Sequence, residues 1–132
     1  MTTDPVTIPE GYRDLLERPL YGHLATVRPD GTAQVNPMWF AFDGQHLRFT
    51  HTSARQKFRN LQANPSMAFS VADPDRPYRY LEVRGVLAEV EPDPTGAFYV
   101  ELSTRYGAGG KPPADAADRV VLVMRPTATS RQ

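Results

Sequence analysis

GHLATVRPDGTAQVNPMWFAFDGQHLRFTH, residues 22–51, holds two hairpin signals, Pro29-Asp30-Gly31 and Asp43-Gly44. Each is flanked by apolar, β-branched or aromatic runs, so the spacing predicts three antiparallel strands at about 22–28, 32–42 and 45–51. In the third, Leu47 and Phe49 alternate with Arg48 and Thr50, which suits a strand with one wet face. Pro37 falls inside the second run. Proline lacks the N–H that a ladder needs, so it marks an edge, a bulge or a backbone that serves something else.

Outward from this core, the pattern keeps alternating short elements. Upstream, Thr7 and Glu10 have capping-box spacing, and Tyr12, Leu15 and Leu16 share a face, which predicts a short helix over about 9–17. Downstream, Ala54, Phe58 and Leu61 define a helix over 53–63 that Asn64-Pro65 ends, with Ser53 placed as its N-cap. Met67, Phe69 and Val71 alternate as a fourth strand, and 78–90 reads as a fifth with Gly85 as a bend or bulge. A helix begins at Asp93-Pro94 and stops at Gly107; 107–118 reads as a mobile loop, and 119–126 as the last strand. Six short antiparallel strands with small helices suit a small barrel, and the βαβ alternation of a doubly wound sheet is missing.

The 132 residues predict one domain over 1–132, with flexible tails at 1–8 and 127–132. A monomer of this size buries only about two-thirds of its unfolded surface, so a dimer would help it. Lys plus Arg and Asp plus Glu both total 15, which argues against a general nucleic-acid or membrane-surface protein. There is no cysteine, hence no disulfide, thiol nucleophile or thiolate metal site. No leader-like or membrane-length apolar segment occurs, so the expected compartment is the cytoplasm.

The search for chemistry is mostly negative. His23, His46 and His51 show neither Glu-x-x-His nor His-x-His spacing, so no metal site is expected, and the histidines read as strand-surface or partly buried. No serine has a suggestive His/Asp context, and the acidic runs 73–75 and 89–93 read as turn and surface chemistry. What remains is 53-SARQKFRNL-61, where Arg55, Lys57 and Arg59 crowd a helix start that normally attracts acids. A solvated helix face and a phosphate site both fit, and spacing alone leaves them open. Two further features favour a ligand. Asn36-Pro37-Met38-Trp39-Phe40 packs the single Trp into an irregular strand, and Tyr78 and Tyr80 share one face of the fifth. An apolar wall, freed backbone groups and a cationic end suit a planar ring bearing a phosphate. Trp39, Phe40 and Met38 could equally be core and dimer interface.

The stretches ATVRPDGTAQVNPMWFAFDG, LRFTHTSARQKFRNLQANPSMAFSVADP and YLEVRGVLAEV resemble the split β-barrel flavin/deazaflavin oxidoreductases, a superfamily that includes pyridoxamine 5'-phosphate oxidase. The nearest likeness is to its short actinobacterial PPOX-class F420-dependent branch. The most specific part is Ser53, Arg55, Lys57, Arg59, Asn60 and Leu61, followed by Asn64-Pro65. The resemblance implies a homodimer of six-stranded, FMN-binding-type split barrels with cofactor sites at the interface. It implies that Val35, Asn36, Pro37 and Met38 lie along the ring. It also implies that Thr50, Ser53, Arg55 and Lys57 hold the phosphate, with Arg59 and Asn60 in the motif and Tyr78 and Tyr80 near the interface and the cofactor. The implied activity is hydride transfer from reduced coenzyme F420 to a small organic acceptor, with no catalytic nucleophile assigned. Competing readings are an FMN-dependent oxidoreductase of the same fold, a non-catalytic coenzyme-binding protein, and an RNA-binding patch. Pyridoxamine 5'-phosphate oxidase itself is longer at its C-terminus, so its substrate is not expected here. Trp39 and loop 107–118 are expected to shape the acceptor pocket.

Overall fold

The computed structural model describes residues 4–132. A 3₁₀ turn (Glu10–Tyr12) and helix α1 (Asp14–Glu17) precede strands β1 (Gly22–Val27), β2 (Ala33–Met38), β3 (Ala41–Phe42) and β4 (Leu47–Thr52). Helix α2 (Gln56–Ala63), strands β5 (Ser66–Asp73) and β6 (Arg76–Pro92), helix α3 (Ala97–Arg105), a 3₁₀ turn (Ala116–Asp118) and strand β7 (Arg119–Arg131) follow. All strands join one antiparallel sheet in the order β2-β1-β5-β6-β7-β4-β3. The sheet curls into the half-barrel of a split barrel. The long strand β6 holds it together: its N-terminal part pairs with β5 and its C-terminal part with β7. Ladder irregularities at Arg84/Gly85 and Leu87/Glu89 interrupt the β6–β7 register, the first at the glycine expected to bend the strand.

The hairpin turns form because Gly31 and Gly44 adopt φ of 87° and 98°, where a Cβ would be strained. Inside the curl, Phe69 meets Phe40 at 4.8 Å and Phe49 at 5.2 Å between ring centroids, both edge-on. Leu15, Leu16, Leu24, Leu47, Leu81 and Leu122 complete a fully buried core around them. At Gly22 the Phe69 ring fills the space where a Cβ would stand.

Four expectations need correction. The sheet has seven strands rather than six, because the run 32–42 is two strands. β2 pairs with β1 at one edge, whereas β3 pairs with β4 at the other, so the chain must leave one ladder and cross at Trp39-Phe40. The Tyr106 hydroxyl completes the crossing: it accepts from Phe40 N at 3.2 Å and donates to Leu20 O at 2.7 Å. Second, Ser53 is not the cap of α2. The N-cap is Arg55, extended at φ −97° and ψ 160°, with no side-chain cap bond, while Ser53 N donates to Asp118 O. Third, α3 begins at Ala97, and Asp93 caps it from a distance by accepting from Phe98 N at 3.1 Å. Fourth, the strand expected to end at Pro126 runs to Arg131, because β6 is long enough to pair with residues 128–131 through Leu81–Arg84. At the other end Ile8 is buried and Val6 N donates to Pro126 O. The expectation of a tail at residues 1–3 lies outside the described residues.

Candidate functional site

Strand alternation sets the first wall. Gln34, Asn36 and Met38 turn one face of β2 inward, while Val35 turns outward and is 60% exposed. The end of β4 adds Thr50 and His51, and the start of α2 adds Arg55, Gln56 and Lys57. With Tyr21, Pro37, Trp39 and Arg119 these residues line a cleft of about 700 Å³. Part of its wall is aromatic. Trp39 stacks on Tyr106 at 5.4 Å with 12° between planes and meets Tyr99 at 5.8 Å.

The cleft is also lined by positive charge. Lys57 is only 5% exposed, and its Nζ lies 3.1 Å from the Met38 thioether. No carboxylate pairs with it among the described residues. Burial, reinforced by Arg55, lowers its pKa to about 8. His51 is 6% exposed with an Nε2 that has no hydrogen-bond partner among the described residues. Burial first, then the charges of Lys57, Arg55 and Arg119, lower its pKa to about 4. His51 is therefore a neutral imidazole among cations at ordinary pH. Arg119 is already engaged: it pairs with Asp115 at 3.0 Å, reaches Thr50 Oγ1 at 3.5 Å and covers the Tyr99 ring at 4.7 Å.

A buried ammonium with only a thioether for company is a costly arrangement, and a bound anion relieves it. Arg55 stands exposed beside it at the N-terminus of α2, whose first backbone N–H groups have no intrahelical acceptor. These residues fit a phosphate group. Pro37 and Met38, beside Trp39, fit an apolar ring.

Of the residues singled out in the sequence, Asn36, Pro37, Met38, Thr50, Arg55 and Lys57 come together around the cleft. Val35 and Ser53 are exposed and do not line it. Arg59 donates to Ala54 O at 3.1 Å and Gln56 Oε1 at 2.8 Å, and Asn60 is buried behind the wall. Tyr78 and Tyr80 lie on β6; Tyr78 is 84% exposed and borders a separate hollow with Gly11, Tyr12, Arg76, Arg79 and Gln132. The sequence reading missed Tyr21, Gln34, His51, Gln56 and Arg119 as lining residues. Gln34 lies two positions before Asn36 on β2, so strand parity could have found it, and Gln56 lay within the quoted basic motif. Nothing local marks Arg119, which arrives from β7.

This curled sheet, with a cleft lined by aromatic and cationic side chains, defines a split barrel. Residues 8–132 match the family model described as pyridoxamine 5'-phosphate oxidase, and the chain belongs to that family. A solved structure named F420 reductase is 68% identical, with a TM-score of 0.92, covering 95% of this chain and 100% of its own. A conserved hypothetical protein from Mycobacterium tuberculosis is 26% identical, with a TM-score of 0.74, covering 99% of this chain and 88% of its own. General Stress Protein 26 from Bacillus anthracis shares the fold at 20% identity and a TM-score of 0.69, covering 92% of this chain and 91% of its own. No curated protein matches the chain.

Proposed function

We propose that this chain is an F420-linked oxidoreductase that passes a hydride from reduced deazaflavin to a small organic acceptor. The observation that carries the reading is the buried, unneutralised Lys57 beside Arg55 in the cleft, which calls for a ligand phosphate. The 68% identity to a structure named F420 reductase supports a deazaflavin over a flavin.

When bound, the deazaflavin supplies the hydride chemistry. The chain supplies position and environment. Lys57 and Arg55 hold the phosphate. Pro37 has no N–H to solvate and Met38 is polarizable, so together they offer an apolar side to the ring. Trp39, held by Tyr106, forms the aromatic part of the wall, where an acceptor would enter. We also propose a homodimer in which Tyr78 and Tyr80 of one chain approach the cleft of the other.

Titration with F420 and, separately, with FMN tests the reading, with fluorescence of the single Trp39 as the signal. Tighter binding of F420, and oxidation of reduced F420 by an added quinone or enone, is the expected result. Tighter binding of FMN would replace F420 with the flavin. Tight F420 binding without turnover of any acceptor would replace catalysis with coenzyme storage.

A further inference from the structure

We propose that a directed chain of side-chain amides, headed by Arg59, makes Asn36 Nδ2 a dedicated hydrogen-bond donor for a carbonyl or enolate oxygen of the ring held in the cleft. This rests on the coenzyme reading above.

The chain is continuous. Arg59 Nη2 donates to Gln56 Oε1 at 2.8 Å. Gln56 Nε2 donates to Asn60 Oδ1 at 2.8 Å. Asn60 Nδ2 donates to Gln34 Oε1 and to Thr26 Oγ1, each at 3.0 Å. Gln34 Nε2 donates to Asn36 Oδ1 at 2.9 Å. Asn36 lines the cleft, and its Nδ2 has no partner among the described residues.

The direction is forced. An amide's O and N are interchangeable in shape, so a network must decide which way each one faces. A guanidinium has donors only, so it must meet the oxygen of Gln56. That leaves the Gln56 NH₂ to give to Asn60, and the same logic passes through Gln34. Asn36 spends its oxygen inside the chain and turns its NH₂ to the cleft. Each donated bond polarises the next, and the positive head reinforces all of them. Asn60 is fully buried in mid-chain, where its amide orientation has no solvent alternative.

The donor's chemistry selects its partner. The phosphate is met by Lys57 and Arg55, so a neutral donor on β2 suits a ring oxygen instead. A hydrogen bond to an oxygen strengthens as that oxygen gains negative charge. Asn36 would therefore favour the more electron-rich form of the bound ring and raise its midpoint potential. Arg59, Gln56, Asn60 and Gln34 are positioning residues in this arrangement.

The test uses the full chain, with F420 titrated by Trp39 fluorescence and the side-chain amides followed by NMR. Asn36→Asp keeps shape and exchanges donor for acceptor; affinity is expected to fall about tenfold or more. Arg59→Met should cost about threefold, and Arg59→Lys should restore the parent value. Arg59→Glu puts an acceptor at the head, so the amides turn over and Asn36 presents Oδ1. Its loss should match Asn36→Asp, persist at high salt and not add to it in the double variant. Unchanged affinity in Asn36→Asp overturns the proposal. So does an Arg59 effect that vanishes at high salt, because that is long-range charge alone. A parent chain that binds neither F420 nor FMN overturns the coenzyme reading instead. The amide protons of Gln34 and Asn60 then decide the chain itself: exchange as fast as at exposed Gln62 removes it.

Discussion

Lys57 and His51 show at single residues what the cleft is built for. Both are held in their uncharged direction by burial and by neighbouring cations. For Lys57, a bound phosphate reverses this and draws the proton back. F420 affinity should therefore be level below about pH 8 and fall above it, by up to about tenfold per pH unit. Lys57→Arg should flatten the profile, because arginine stays charged. Lys57→Met should lower affinity at pH 7 by roughly tenfold or more, since a charge-assisted contact contributes about 1.5–3 kcal/mol. A pH-independent Kd in the parent chain would refute the ion pair.

His51 makes the stability prediction. Its pKa falls from 6.5 to about 4 on folding, so between those values the unfolded chain holds a proton that the folded chain refuses. Stability from this group is complete above pH 6.5 and is lost as pH falls toward 4, by on the order of 3 kcal/mol. Urea unfolding at pH 7 and 4.5 should show the loss, and His51→Phe should remove most of it. The lowered carboxylates, Asp14 beside Arg79 among them, act at lower pH, because their ordinary value is 3.8.

Among the elements, the break between β2 and β3 is the most consequential. It takes Trp39 out of the ladder beside Met38, the last paired residue of β2, and both line the cleft. Tyr106 fixes the break from α3. Tyr106→Phe should keep the stack on Trp39 but strand the Phe40 N–H and Leu20 carbonyl, costing about 1–3 kcal/mol in urea unfolding. Tyr106→Leu should lose the stack as well, alter Trp39 fluorescence and raise KM for the acceptor more than Kd for F420. The two hairpins were legible in the sequence because a Pro-Asp-Gly or Asp-Gly turn decides itself locally. The break was not, because it depends on which ladder each half joins and on a hydroxyl 66 residues away. The same contrast runs through the site. The cluster from Arg55 to Lys57 stands in one short stretch, whereas the burial of His51, the arrival of Arg119 and the amide chain behind Asn36 exist only after β1, β2, β4, α2 and β7 meet.

For the whole molecule, the question is what covers the exposed apolar side chains. β2 and β3 are the free edges of the sheet. Val35 on β2 and Tyr78 on β6 face solvent, at 60% and 84% exposure, whereas Gln34, Asn36 and Arg79 beside them are partly buried. A chain this short gains more from burying such groups against a second copy than from any further folding of its own. The expected species by light scattering has twice the 14.7 kDa chain mass. Tyr78→Glu places a charge on that surface, and should shift the protein toward monomer. If Tyr78 and Tyr80 reach the cleft of the partner chain, F420 affinity should fall in step with dissociation and recover as protein concentration rises. A Tyr78→Glu monomer that binds F420 as tightly as the parent dimer would show that each cleft is complete within one chain.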